Sequence, residues 1–181
     1  MNGKAVPQRY GTATIVMHWL MLVLIVGVYA CIELRGFWPR GSDPRAALKA
    51  WHGMLGLLVF VLVFARLALR WTMPAPPPAG RPWQRAATRI GHALLYLFML
   101  AMPLLGWLAL SAAGKPVPFF GLELPALVGP DKAFAARVED LHETIGTIGY
   151  FLIGLHAALA LFHHHVLRDA TLLRMLPHRR G

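Results

Sequence analysis

Histidine is the one residue type in this chain whose number and spacing suit redox or metal chemistry. The 181-residue sequence carries nine histidines and a single cysteine, Cys31. One thiol excludes an intrachain disulfide, a thiolate-held iron-sulfur cluster and a Cys-rich zinc site. His18, His52, His92, His142 and His156 stand within or at the edges of apolar stretches, His163-His164-His165 form a run, and His178 lies in the tail. The interval from His142 to His156 is the most informative. Fourteen residues at about 100° and 1.5 Å each return to nearly the same helix face after a rise of about 21 Å, so one helix offers two stacked imidazoles.

The elements that carry these histidines belong in a bilayer. The chain is 57% hydrophobic and 14% charged. Four apolar stretches approach the roughly 20 residues that a hydrocarbon core requires: Ile15 to Glu33, Trp51 to Leu69, Gly91 to Leu110, and Ile145 to Val166, the last helix reaching back to His142. The expected fold is an all-α membrane protein, one membrane-embedded domain over residues 1–181 built as a four-transmembrane-helix bundle. The first stretch is longer than the apolar region of a secretory signal, and no A-x-A-like site follows it. The proline-rich Met73-Pro74-Ala75-Pro76-Pro77-Pro78 reads as an extended spacer, and Pro103 should bend the third span unless neighbours compensate.

The net charge of +10 has a membrane explanation before a nucleic-acid one. Lys4, Arg9, Arg66, Arg70, Arg81, Arg85, Arg89, Arg168, Arg174, Arg179 and Arg180 fall on one side, opposed only by Asp169. On the other side basic and acidic residues balance, seven against seven. The positive-inside rule then makes both termini cytoplasmic.

This threading puts His52 level with His142 toward the outer face, and His18 and His156 toward the cytoplasmic face. Depth alone would pair His18 with His163, which shares the face of His156. That choice would leave His142 and His163 about 31 Å apart, a poorer electron path than the shorter interval. The expected pairs are therefore His52 with His142 and His18 with His156. A neutral imidazole binds iron axially, and the core of a four-helix bundle can hold a large apolar ring, so two b-type haems between the helices suit these pairs. With both axial positions filled, electron transfer is the natural chemistry. Gly53, Gly56, Gly146 and Gly149 would let a macrocycle or a neighbouring helix approach closely. His92 reads as a hydrogen-bonded packing residue.

Over essentially its whole length the sequence resembles the bacterial cytochrome b561 family, and particularly its superoxide oxidase members. The resemblance is carried by Met17-His18-Trp19-Leu20, by Glu33-x-Arg35-Gly36-Phe37-x-Pro39-Arg40, by His142-Glu143-Thr144, and by the stretch from Gly149-Tyr150-Phe151 through Gly154-Leu155-His156 to Leu172-Leu173-Arg174-Met175. It implies that His18, His52, His142 and His156 ligate two haems b. It also implies oxidation of periplasmic superoxide to oxygen, with electrons passed to ubiquinone in the bacterial inner membrane.

The charge pattern is compatible with that chemistry. In the first outer connection Arg35, Arg40, Arg45 and Lys49 oppose only Asp43, where the positive-inside rule requires no such excess. These cations could attract a small anion, or hold haem propionates or lipid phosphates. His163 is placed at the cytoplasmic boundary to donate to a quinone or relay a proton, whereas adjacent helical residues in the triplet cannot converge on a zinc ion. Two rivals stand beside this reading. A haem anchor subunit for a hydrogenase or another dehydrogenase would use the same histidines and present Phe37, Trp38, Phe119 and Phe120 to a partner protein. A haem-free transporter or structural bundle would use them to relay protons or to pack.

Overall fold

The computed structural model describes residues 9–77 and 80–177; Lys4, Pro78, His178, Arg179 and Arg180 lie outside them. Helices α1 (Thr12–Leu34), α2 (Asp43–Thr72), α3 (Pro82–Ala112) and α4 (Lys132–His165) alternate in direction. Strands β1 (Val117–Phe119) and β2 (Leu122–Leu124) form an antiparallel pair between α3 and α4, on the same end of the bundle as the α1–α2 connection. This is the hairpin end. The start of α1 and the finish of α4 define the terminal end.

All four helices are long and apolar enough to cross a membrane, and only 6% to 17% of their most apolar windows is buried. Their hydrophobic faces therefore point outward, as lipid requires and water would penalise. Exposed tryptophans mark both boundaries: Trp38 and Trp51 at the hairpin end, Trp71 and Trp83 at the terminal end. Such amphipathic rings settle at headgroup depth.

Helices α2, α3 and α4 run well beyond the apolar stretches, beginning at Asp43, Pro82 and Lys132 rather than near Trp51, Gly91 and His142. Their polar first turns are stabilised by local signals that hydropathy does not weigh. Pro44 and Pro82 occupy first-turn positions where a missing N–H costs nothing. The Asp131 carboxylate accepts from the N–H groups of Ala133 and Phe134 at 2.9 and 3.0 Å, and the Gln84 side chain accepts from Arg81 N at 2.6 Å. Each satisfies a donor that a helix start leaves open. Helix α3 continues through Pro103 to Ala112.

The described core is small. Met21, Val59, Val63 and Met99 pack together at mid-bundle, joined by half-buried Leu24, Ile25, Tyr96 and Leu100. One glycine is obligatory beside this layer. A Cβ at Gly149 would collide with the Tyr29 hydroxyl and the Phe98 ring. The seam between α1 and α4 is closed by polar bonds: Tyr29 OH donates to Gly146 O at 2.7 Å, Tyr150 OH donates to the Glu33 carboxylate at 2.6 Å, and the two tyrosine rings lie 4.2 Å apart.

After α4 the chain folds back across the terminal end. Trp19 Nε1 donates to Met175 O at 2.7 Å, and an Arg174 guanidinium N–H donates to Pro77 O at 2.9 Å. The proline-rich linker expected as a spacer is thus tied to the closing segment.

Candidate functional site

Two histidine pairs sit one above the other on opposite sides of the mid-bundle layer. At the hairpin end the rings of His52 (α2) and His142 (α4) are 6.0 Å apart at 74°. At the terminal end the rings of His18 (α1) and His156 (α4) are 6.3 Å apart at 59°. Imidazoles bonded to opposite sides of one metal ion at about 2 Å place their ring centres roughly 6 Å apart, so either gap fits an intervening iron.

At the hairpin-end pair, hydrogen bonding leaves one ring nitrogen free for a ligand. His52 Nδ1 lies 3.0 Å from Val28 O, and a carbonyl can only accept, so this nitrogen carries the proton and Nε2 is left with its lone pair. His142 Nδ1 is sealed from the surface and makes no well-formed hydrogen bond among the described residues. A Cβ added at Gly53 or Gly56 would meet nothing within 4 Å, so open space flanks His52, whereas one at Gly106 would touch the His142 ring. Room, orphaned nitrogen and an all-imidazole donor set together fit a flat macrocycle ligated from both sides.

The terminal-end pair has company that sequence reasoning missed. The His92 ring (α3) stands 5.7 Å from that of His156, so His92 packs within the cluster. Arg66 (α2) also enters it, with Nη2 2.9 Å from His18 Nδ1. Arg66 had counted only as a topological charge. The available signal was its place inside an apolar run, Val61 to Leu69, where a cation needs a partner.

His163 stands apart from both pairs. Its Nδ1 donates to the Asp169 carboxylate at 2.6 Å, and the other Asp169 oxygen accepts from Thr171 N at 2.8 Å. Burial alone would raise the Asp169 pKa, but the hydrogen bonds from His163 and Thr171 outweigh it and hold the carboxyl down at about 2. The pair His18 with His163, which depth alone favours, is not formed; the ring facing His18 is that of His156.

The basic residues of the first connection are divided in use. Arg45 donates to Arg35 O and Trp38 O at 2.8 and 3.0 Å, clamping the turn between α1 and α2. Arg35 stands half-buried where α1 ends, and Lys49 lies three residues before His52 on α2. Arg40 is exposed in the connection, and Lys49 stands on the extended first turns of α2 rather than in a loop. Phe120 and Gly121, at φ 47° and 87°, form the two-residue turn of the β hairpin, and the Phe120 ring meets Trp51 edge-on at 6.2 Å.

Comparison with known proteins fits this arrangement. The sequence profile of prokaryotic cytochrome b561 matches residues 9–178. The chain is similar to cytochrome b561 homolog 1 of Escherichia coli strain K12, 40% identical over 178 residues, with 96% of this chain and 99% of that protein covered. It is 36% identical over 176 residues to a Yersinia pestis protein named probable superoxide oxidase CybB, covering 96% and 99%. A second E. coli protein, cytochrome b561 homolog 2, is 31% identical over 186 residues, covering 97% and 95%.

Proposed function

The chain belongs to the prokaryotic cytochrome b561 family, and from that premise we propose that it oxidises superoxide on the periplasmic face and delivers the electrons to ubiquinone on the cytoplasmic side. Family membership makes it an electron-transfer protein of the bacterial inner membrane, and implies haem b. The finer reading assigns two haems per chain, one held by His52 and His142 and the other by His18 and His156. The observation that carries it is the pair of 6.0 and 6.3 Å ring separations, both involving one face of α4.

Haem held by these histidine pairs would supply a one-electron carrier. The rest falls to the protein. Two superoxide anions each yield one electron and become oxygen, while one ubiquinone takes up those two electrons and two protons to become the quinol. Arg35, Arg40 and Lys49 supply positive potential at the hairpin end, which would draw in a small anion. The Yersinia pestis relative, named probable superoxide oxidase, favours the same substrate.

At the terminal end His163 would meet the quinone carbonyl and pass it a proton. Asp169 orients the imidazole through Nδ1, leaving Nε2 to face a ligand. The basic excess at the terminal end supports a threading with both termini in the cytoplasm.

The test is an anaerobic optical spectrum of the purified protein with haem quantified, followed by superoxide with and without a ubiquinone analogue. Two haems per chain, reduced by superoxide and reoxidised by the quinone, support the full reading. Two haems that superoxide does not reduce favour the second reading, a haem b anchor that relays electrons between a partner dehydrogenase or hydrogenase and quinone. The exposed rings of Phe37, 83% accessible, and Trp38 at the hairpin end favour such a contact surface. A colourless protein removes both.

A further inference from the structure

Arg66 is a cation inside a membrane span with no carboxylate side chain of this chain to answer it. Its Nη1 is closed off from the surface and has no hydrogen-bond partner among the described residues. Ionisable groups in such a position are costly to insert and are retained where they find an opposite charge. The sequence has eight acidic side chains, and seven of them fall within residues 33–43 and 123–143, at or toward the hairpin end. The eighth, Asp169, is engaged by His163 and Thr171. An anion for Arg66 must therefore come from outside these side chains.

The chemistry of His18 points to what that anion is. A guanidinium can only donate, so in the contact with Arg66 Nη2 the His18 Nδ1 accepts, and the neutral ring carries its proton on Nε2. Iron bound at Nδ1 would take the lone pair that Arg66 now uses. Iron bound at Nε2 would require the proton to sit on Nδ1, where it would oppose the guanidinium. By either route, ligation at His18 releases Arg66, and the guanidinium then has unpaired N–H groups within the site. Arg66 meets the cluster at His18, whose ring faces that of His156, with the His92 ring on the far side 5.7 Å from His156. The hairpin-end pair has no counterpart, since His52 Nδ1 donates to a carbonyl and needs no rearrangement.

We propose that Arg66 binds a propionate carboxylate of the haem seated between His18 and His156, exchanging its hydrogen bond to His18 for a charge-paired fork on that carboxylate. Arg66 is then a cofactor-binding residue of one haem only. A planar guanidinium matches a carboxylate through two parallel N–H bonds, which a lysine cannot reproduce. The assignment rests on the two-haem reading.

The test compares the full-length wild type with R66Q and R66K, each purified with its native cofactor. Haem per chain is counted, propionate bending bands are read by resonance Raman spectroscopy, and the midpoint potential of each haem is titrated. R66Q should fall from two haems per chain toward one, and the haem that persists at the hairpin end certifies that the bundle has folded. R66K, which keeps the charge, should recover the second haem with a shifted propionate band and a midpoint different from wild type. Two full haems with unshifted propionate bands in both variants would overturn the proposal. So would loss of a haem in R66Q with an unchanged band in R66K, because Arg66 would then act only through His18. A wild-type chain that binds no haem would instead remove the two-haem reading on which the assignment depends.

Discussion

His163 and Asp169 form a dyad at the terminal end, with Nδ1 and Oδ2 2.6 Å apart and the carboxylate fixed a second time by Thr171 N. The Asp169 pKa is lowered in the folded chain, so its contribution to stability is complete above the ordinary carboxylate range. That contribution is lost as pH falls through about 2. At neutral pH the dyad is therefore intact. D169N should slow reduction of a ubiquinone analogue about tenfold, the scale of an orienting partner, while leaving both haems in place. An unchanged rate would detach Asp169 from the quinone step.

H163A removes the proposed proton donor itself and should cost about a hundredfold in quinone reduction. Haem content and the rate at which superoxide reduces the protein should be unchanged. Stopped-flow absorbance separates the two half-reactions, and a loss confined to the superoxide half would contradict the placement.

H18A and H142A should each remove one haem and spare most of the other, read as pyridine haemochrome per chain. H92A supplies the contrast. The His92 ring is as near to His156 as that of His18, yet two haems should remain in H92A. If H92A loses a haem and H18A keeps two, the terminal-end ligands are His92 and His156.

Charge reversal of Lys49 to Glu, alone and with Arg35 to Glu, should reduce the bimolecular rate with superoxide several-fold at low ionic strength. The difference should shrink as salt is raised, because exposed charges are screened beyond about 8 Å at physiological ionic strength. A rate indifferent to both mutation and salt would remove these residues from anion capture.

G149A places a methyl against Tyr29 and Phe98. Overpacking of this kind costs about 1–3 kcal/mol. The variant should unfold at lower temperature in detergent, with the Tyr29 to Gly146 bond loosened; an unchanged transition would show that the two rings have somewhere else to go.

The legible parts of this fold were those written in repeating local signals. Four spans follow from apolar runs, and the pairing of His142 with His52 and of His156 with His18 follows from a fourteen-residue interval combined with threading. The helix starts were not legible from hydropathy, because α2, α3 and α4 are extended by prolines and caps into polar sequence. The company kept by His92 and Arg66 was not legible for a different reason. Each is a single polar residue whose meaning depends on which helix faces it across the bundle, and one sequence carries no record of that neighbour. The Asp169 contact was similarly hidden, since it arises where the chain turns back after α4.

The latch between Trp19 and Met175 joins the first helix to almost the last described turn, next to the ligand candidate His18. Synthesis is directional, so residues 28 to 142, which supply the hairpin-end pair and its orienting carbonyl, emerge before the segment that covers the other end. The rings of His52 and His142 can therefore meet while the segment that carries Met175 is still being made.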